Sequence, residues 1–508
     1  MRIRIVGAGA MGRGIAQWAA VAGHTVELCD VRAEAVAAAV DFVRSMLERA
    51  VHKDRMTSGD AAAALERLVP LDDPWAPGPE VELVVEAVRE DLGTKAEVFG
   101  KLEGVLPDSA VFATNTSSLS VTRIAASLRD PGRLAGLHFF NPVPLMKIVE
   151  VVPGAATRPE IPPALTALVE SCGHRAVTVA DTPGFLVNHA GRGLVTEALA
   201  LLEESVADPA GIDRIARDVL GLRMGPFELM DLTGLDVTAA VIDSIWQGFR
   251  HDARLRPSFL TPNRVTAGLH GRKTGQGWFP YGPEATGPAP EAPVTGDAGR
   301  PVFVAGGRGD ELRSVLTAAG AAVEDGTGPS ADAVVLVPVW GTTVAAAAAE
   351  WALPAARTFG VDPLPPSGRR RVLAVTPAAD PAAARDARAV LARAADGQDP
   401  YAVSVVRDTA GSVAQRLLAS VVSVATSIAE RSLATPADID LAVTTGLGYP
   451  TGPLAWGDRI GAARLLELQR SLHATTGDPR YRPTRWLTER AQLGLALTDP
   501  GTAPADCA

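Results

Sequence analysis

Cysteine is nearly missing from this chain: only Cys29, Cys172 and Cys507 occur among 508 residues. An odd, scattered set with no metal-ligand spacing argues against a disulfide scaffold or a metal site, and suits a reducing, cytoplasmic compartment. Positive charge is in deficit, with 48 Lys and Arg against 58 Asp and Glu and a net charge of -10. Nucleic acid is therefore not an expected partner, because its phosphates require a basic surface. Long apolar runs are missing as well. Stretches such as Ala333 to Trp340 break at Pro338 and Gly341, short of the roughly 20 residues that cross a bilayer, so no membrane partner is expected. The first strand-like residues start at Ile3, which leaves no room for a signal peptide. The length exceeds what one hydrophobic core organises and predicts three to five structural units.

What is present begins with a glycine turn. Ile3-Arg4-Ile5-Val6 reads as a short strand, followed by Gly7, Gly9 and Gly12 in GxGxxG spacing with Ala10 and Met11 inside the turn, and then by an apolar helix to Ala22. Strand, turn and helix in that order are the context in which the spacing means dinucleotide binding: Gly7 for the tight turn, Gly9 for backbone approach to a pyrophosphate, Gly12 for close helix packing. A second strand, Thr25 to Cys29, ends in Asp30, placed to accept the ribose hydroxyls of NAD and to repel the extra phosphate of NADP. Arg32 nearby works partly against that discrimination.

Further strand candidates are Glu82 to Val85, Val111 to Thr114, Leu134 to Phe139 and Ile148 to Val152. Alternation with helices predicts a mainly parallel sheet, whose carboxyl ends line the ligand crevice. Those ends deliver the glycine turn, Asp30, Glu86 with Glu90, Asn115 to Ser118, and His138. A histidine amid apolar neighbours is more often a core or turn residue. Glu150 changes the balance, because an unpaired carboxylate inside the apolar run Ile148 to Val152 costs several kcal/mol, and Pro142 and Pro144 turn the chain so that the second strand can return beside His138. A carboxylate–imidazole pair fixes the tautomer and stabilises the imidazolium, which suits proton exchange with an alcohol. Ser117 follows a strand, where hydroxyls also serve as helix caps. Asn188 enters a long apolar helix, where it either donates to a substrate oxygen or is simply a surface amide.

These motifs together resemble the L-3-hydroxyacyl-CoA dehydrogenases over the first 283 residues: GAGAMGRGIA, NTSS, GLHFFNPVPLMKIVEV, DTPGFLVN, GPFELMDLTGLD and GRKTGQGWFPY. The resemblance implies an α/β Rossmann-type NAD-binding domain followed by an all-α dehydrogenase domain, and NAD-dependent, reversible oxidation of a 3-hydroxyacyl-CoA to the 3-oxoacyl-CoA in fatty-acid or phenylacetate catabolism. It implies that His138 is the general acid/base, that Glu150 orients it, and that Ser117 and Asn188 hold the 3-oxygen. It adds Glu90, Lys95, Asn141 and Lys273 to Asp30 and Ser117 as cofactor contacts, and Lys53 as a contact to the CoA end. Where the family often has arginine after the asparagine, this chain has His189.

The second half contains a repeat. Asp181-Thr182, Gly184, Glu203, Ile212-Asp213, Gly221, Gly225-Pro226 and Asp231 recur 227 positions later as Asp408-Thr409, Gly411, Glu430, Ile439-Asp440, Gly448, Gly452-Pro453 and Asp458. Repeated glycine, proline and aspartate imply the same turns and caps. Gln415 replaces Asn188 and the lysine-containing tail is missing, so the second copy is expected to be non-catalytic. The expected boundaries are 1–182 for the NAD-binding domain, 183–283 for helical copy 1, 284–300 for a linker, 301–403 for a small degenerate α/β unit, and 404–508 for helical copy 2. Short members of the family pair two helical domains across a homodimer, and copy 2 is expected to act as an internal partner, with further dimerisation of the chain left open. Two alternatives remain beside the CoA reading: a biosynthetic dehydrogenase acting on a hydroxyacyl carrier protein, and a non-catalytic NAD sensor. Intact Ser117, His138, Glu150 and Asn188 weigh against the sensor.

Overall fold

The computed structural model describes residues 1–282, 285, 287 and 290–507. The chain divides into two units: Met1–His189 with Arg431–Leu447, and Ala190–Glu430 with the chain from Gly448 onward.

The first unit is built on eight strands: β1 (Arg2–Val6), β2 (Thr25–Cys29), β3 (Leu68–Leu71), β4 (Leu83–Glu86), β5 (Val111–Thr114), β6 (Leu134–Phe139), β7 (Ile148–Pro153) and β8 (Arg175–Thr178). Their order is β3-β2-β1-β4-β5-β6-β7-β8, parallel throughout except where β6 meets β7. The central strands are apolar on both faces because helices cover both. Ile3, Ile5, Val26, Leu28, Leu83 and Val85 pack with Ile15, Ala16 and Ala19 of the helix Ala10–Val21 in one core. β3, which carries Pro70, and β8 are the two edges, where a missing N–H donor is tolerated.

The second unit holds a five-stranded sheet with helices from both halves of the chain. Its strands are β9 (Val302–Val304), β10 (Val334–Pro338), β11 (Thr358–Val361), β12 (Arg370–Val375) and β13 (Ala402–Arg407), in the order β13-β12-β11-β10-β9. β13 runs across the boundary expected at residue 403, whereas β8 ends before the one expected at residue 182. The expected linker lies partly outside the described residues, at Glu284, Thr286, Pro288 and Ala289. Its later part is tied down: Glu291 pairs with Arg370 at 2.8 Å, and the Asp297 N–H donates to Asp386 at 2.7 Å.

The duplication extends to backbone conformation. Gly184, Phe185, Ser205, Gly221 and Gly234 have φ of 73, 48, 56, 74 and 93°, and their equivalents 227 residues on, Gly411, Ser412, Ser432, Gly448 and Gly461, have 73, 49, 53, 69 and 93°. It also reaches into the middle unit. β9 to β13 repeat the pairing of β4 to β8, with one antiparallel step in the same place. Strand starts and pairing partners match: Phe112↔Leu134 corresponds to Val335↔Thr358, and Leu83↔Val111 to Val302↔Val334. Ser120 caps the helix Val121–Ala125 and Thr343 caps Val344–Glu350; Asp181 accepts N–H groups from the first, and Asp408 from the second. The middle unit is thus the second half of a nucleotide domain, without the β1-turn-helix that would cradle a dinucleotide. In this correspondence Asp362 stands for His138, Val372 for Glu150, Trp340 for Ser117 and Gln415 for Asn188. Gln415 Nε2 donates to Asp362 Oδ1 at 3.0 Å and to the Val339 carbonyl at 3.0 Å, so the amide that stands for Asn188 is engaged within the remnant.

Within the second unit the equivalent helices of the two copies, Arg192–Glu203 and Ser412–Glu430, pack on one another. The latter is long and apolar enough to cross a membrane, but is wholly buried inside the protein. A buried charge cluster joins the two helices. Glu197 is 0% exposed and Arg416 is 1% exposed. Arg416 Nε donates to Glu197 at 2.6 Å, Arg480 pairs with it at 3.1 Å and the Tyr481 hydroxyl donates to it at 2.6 Å, while Arg416 also grips Glu204. The cluster is one-sided: the equivalents of Arg416 and Glu197 in the other copy are His189 and Val424. Removing one partner of a buried pair strands the other, at a cost of about 3–5 kcal/mol. Arg416→Met is therefore expected to lower the melting temperature sharply, and the double variant E197Q/R416M to recover part of the loss, as read by thermal unfolding.

Candidate active site

The glycine turn forms where β1 meets its helix. Gly7 has φ +106°, and a Cβ on it would lie 2.5 Å from the Ala87 carbonyl oxygen. A Cβ on Gly12 would lie 1.7 Å from the Gly7 carbonyl oxygen, so no side chain fits there. Gly9 is the opposite case, with nothing within 4 Å of a Cβ. An open backbone at the start of a 12-residue helix, with Ala10 exposed and Met11 half-buried beside it, fits a pyrophosphate. Asp30 follows β2, where its carboxylate accepts the N–H groups of Ala8 at 2.9 Å and Arg32 at 3.0 Å, and the Arg32 guanidinium stands 3.8 Å away. The acid thus sits against the turn itself. These residues fit NAD.

The next strand ends are linked by carboxylates. Lys95 is 1% exposed, with its ammonium between Glu86 at 2.7 Å and Glu90 at 3.3 Å. Glu86 also accepts from the Thr114 hydroxyl at 2.7 Å. Glu90 gathers Thr116, Ser117 and Ser118: one oxygen accepts from Thr116 Oγ1 at 2.7 Å, the N–H groups of Ser117 and Ser118 at 2.8 Å each, Ser118 Oγ at 2.9 Å and Ser117 Oγ at 3.4 Å. Asn115 accepts the Phe139 N–H at 2.8 Å, fixing the end of β6 beside the loop. Of the residues expected at the cofactor, Glu90 and Lys95 are therefore engaged in holding Ser117 in place.

β6 and β7 set His138 directly across from Glu150. The imidazole is 4% exposed and the carboxylate 0% exposed. His138 Nδ1 lies 2.5 Å from Glu150 Oε2, while Glu150 Oε1 accepts the N–H groups of Leu186 at 2.9 Å and Val187 at 2.8 Å. Both carboxylate oxygens are satisfied, which removes the cost that made Glu150 anomalous in a strand. Phe140 and Phe185 flank the imidazole at centroid distances of 4.5 and 5.5 Å. Asn188 is the second residue of the short helix Val187–Ala190 and is half-buried.

Three other residues expected to bind cofactor or substrate are placed as follows. Asn141 is exposed on the turn between β6 and β7, and Lys53 is exposed at the C-terminal end of the helix Ala33–His52. Lys273 belongs to the second unit, where its ammonium meets Asp236 at 2.5 Å. Glu86, expected at the crevice without a role, anchors Lys95; sequence reasoning missed two residues, first Phe185 beside His138 and second Asp181, which accepts the N–H groups of Val121 and Thr122 and so fixes the helix after the serine loop. The recurrence of Asp181 at Asp408 was the available signal for the second. Among the described residues no group of His, Cys, Asp and Glu is arranged to hold a metal ion.

Residues 2–182 match the NAD-binding domain of 3-hydroxyacyl-CoA dehydrogenase, and its C-terminal domain matches twice, at 184–281 and 411–501. The chain is similar to the 3-hydroxyadipyl-CoA dehydrogenase of Escherichia coli (strain K12), with 36% identity over 97% of each chain. It is also similar to the 3-hydroxybutyryl-CoA dehydrogenase of Bradyrhizobium diazoefficiens, with 36% identity over 55% of this chain and 95% of that one. Among solved structures, a 3-hydroxybutyryl-CoA dehydrogenase from Escherichia coli K12 superposes with a TM-score of 0.83 at 35% identity, covering 97% of this chain and 98% of the other. An (S)-3-hydroxybutyryl-CoA dehydrogenase from Ralstonia eutropha gives 0.53 at 37% identity over 55% and 99%.

The serine loop generates a pH prediction. Burial pushes the Glu90 carboxyl up, but the Thr116 hydroxyl, the Lys95 ammonium and the N–H groups of Ser117 and Ser118 outweigh it and hold it at about 2. A carboxyl held below its ordinary 4.5 stabilises the fold at any pH above that value, and the contribution fades as pH falls towards about 2. Glu90→Gln is expected to remove it, so that the melting temperatures of variant and parent, well apart at pH 6, draw together as pH falls below 4.5 and converge only towards about pH 2.

Proposed function

The chain belongs to the 3-hydroxyacyl-CoA dehydrogenase family, an NAD-dependent oxidoreductase that interconverts L-3-hydroxyacyl-CoA and 3-oxoacyl-CoA, and from that premise we propose the residues and the substrate that carry the reaction here. His138 is the general acid/base. Its Nδ1 is held by Glu150, so Nε2 takes the proton of the substrate hydroxyl during oxidation and returns it during reduction. Glu150 keeps the ring in one tautomer and balances the imidazolium charge as it forms, while the Leu186 and Val187 N–H groups keep the carboxylate in place. Ser117 and Asn188 hold and polarise the 3-oxygen, an electrostatic contribution of about 3 kcal/mol in comparable sites. NAD bound at Gly7 to Gly12 and Asp30 supplies the acceptor for the hydride that leaves C3. The single observation that carries this reading is the buried His138–Glu150 contact at the carboxyl ends of the sheet, beside the cradle for the dinucleotide.

For the acyl group, the full-length similarity to a 3-hydroxyadipyl-CoA dehydrogenase and to a 3-hydroxybutyryl-CoA dehydrogenase supports a short-chain or dicarboxylic substrate of catabolism, with Lys53 at the CoA end. Three free thiols, Cys29, Cys172 and Cys507, support a reducing, cytoplasmic setting. The second copy takes the place of the partner subunit of short relatives. This is supported by the packing of equivalent helices and by Glu197, whose buried charge in copy 1 is answered by Arg416, Arg480 and Tyr481 of copy 2.

The test is NADH formation with L-3-hydroxyacyl-CoA esters of four, six and more carbons, including the adipyl ester. Turnover is expected with NAD on one of the short or dicarboxylic esters, and little with NADP. His138→Gln is expected to lower turnover by about 10³-fold with NADH affinity nearly unchanged. A variant that turns over at the parental rate removes His138 from the mechanism.

A further inference from the structure

One stretch of copy 2 does not stay with the rest of its copy. Arg431–Leu447, including the helix Pro436–Gly446, belongs to the first unit and packs on β7 and β8. It meets the loop Ala180 to Asn188 at both ends. At the start of that loop the Ala180 N–H donates to the Leu433 carbonyl at 2.9 Å. Near its far end Gly446 lies against Val187 so closely that a Cβ would stand 3.0 and 3.1 Å from the two Val187 methyl carbons and 3.7 Å from Ile148 Cγ2. Val187 is itself 2% exposed and has nowhere to retreat.

The loop between these two contacts needs to be held. Phe185 has φ +48°, in the left-handed region that a bulky L-residue occupies only when its surroundings impose it. The same residue lays its ring edge-on to His138, and the two residues after it deliver their N–H groups to Glu150. If Phe185 relaxed to negative φ, the direction of the chain would change at the point where both N–H groups must reach the carboxylate.

We infer that the segment Leu433 to Gly446 of the second copy is a clamp for the catalytic dyad: it pins both ends of the strained loop Ala180 to Asn188, and so sets Glu150 and His138 in their working geometry. The inference rests on the reading of His138 and Glu150 as the acid/base pair. Gly446 and Leu433 are positioning residues, since neither touches the reacting atoms. The copy that lost every catalytic group is thereby a structural part of the site that kept them.

The experiment places a side chain where Gly446 meets Val187 in the full-length protein. Gly446→Leu is expected to lower kcat by about tenfold or more, to leave the KM for acyl-CoA and the NADH affinity within about threefold, and to shift or broaden the downfield proton resonance of the His138–Glu150 hydrogen bond. Adding Val187→Ala makes room for the new side chain, and V187A/G446L is expected to regain most of the kcat and the resonance of V187A alone. Should G446L fail to fold, Gly446→Ala is measured in the same cycle, because its Cβ alone already requires Val187 to give way. A folded Gly446 variant with parental kcat and an unmoved resonance overturns the clamp, as does a loss that Val187→Ala leaves unrelieved. If the parent oxidises no 3-hydroxyacyl-CoA while its resonance still responds to Gly446→Leu, the clamp stands and the assigned reaction falls.

Discussion

The Glu150 carboxylate is the constraint on which the rest of the site depends. It lies in the interior of β7 with no exposure, so its charge is tolerable only if both oxygens are answered. One is answered by His138 across the antiparallel step between β6 and β7, and the other by the backbone of Leu186 and Val187. Three parts of the chain are thereby tied at one point: the strand that carries the imidazole, the strand that carries the acid, and the loop that leads to Asn188. A second carboxylate does for the serine loop what Glu150 does for the histidine. Glu90 collects Thr116, Ser117 and Ser118, and the Lys95 ammonium, shared with Glu86, supplies the opposite charge. The two tied loops carry the hydroxyl and the amide read as holding the substrate oxygen.

Much of this was legible in the sequence because the parts that carry chemistry are local. The glycine turn, Asp30 and the apolar strands around β4 to β7 follow from spacing and from runs of Val, Ile and Leu, and the partner of His138 followed from the improbability of an unpaired acid in such a run. What was illegible depended on three-dimensional paths. β3 contains a proline, β11 a glycine, and β8 has one buried residue among Arg175–Thr178, so none gives a strong strand pattern. Lys95 was expected only from the family resemblance, and its buried pairing with Glu86 depends on the sheet that brings the two together. The segment Arg431–Leu447 is an ordinary helix by sequence, and nothing in its residues says which sheet it will cover.

The half nucleotide domain in the middle of the chain was hidden for a different reason. The repeat is gap-free from Asp181 onward, at an offset of 227, but the equivalences drift on going back through the strands. Thr358 stands for Leu134 at 224, Arg370 for Ile148 at 222 and Val302 for Leu83 at 219. Loop-length changes of a few residues leave strand pairing intact while destroying any fixed spacing, and the residues that would have marked the site have been exchanged. Pairing partners are conserved by hydrogen-bond geometry where side chains are not, which is why the strands reveal a duplication that the composition of Arg300 to Arg407 conceals.

What the second copy kept and what it lost separate along one line. It kept the caps at Asp408 and Thr343, the left-handed turns and the long apolar helix, all of which serve packing. It lost the dinucleotide cradle, the imidazole, the acid and the serine, and the residues now at those strand ends close on each other, with Gln415 bonded to Asp362 and to Val339. Sequence divergence also broke the equivalence of the two faces that meet in the second unit. A symmetric pair of copies would place the same groups on both sides, but here Arg416 faces Glu197 while the corresponding positions hold His189 and Val424. The burial of Glu197 in copy 1 is answered by Arg416, Arg480 and Tyr481 of copy 2. Once the two copies share a chain each is free to change alone, so the first could specialise in chemistry and the second in holding it.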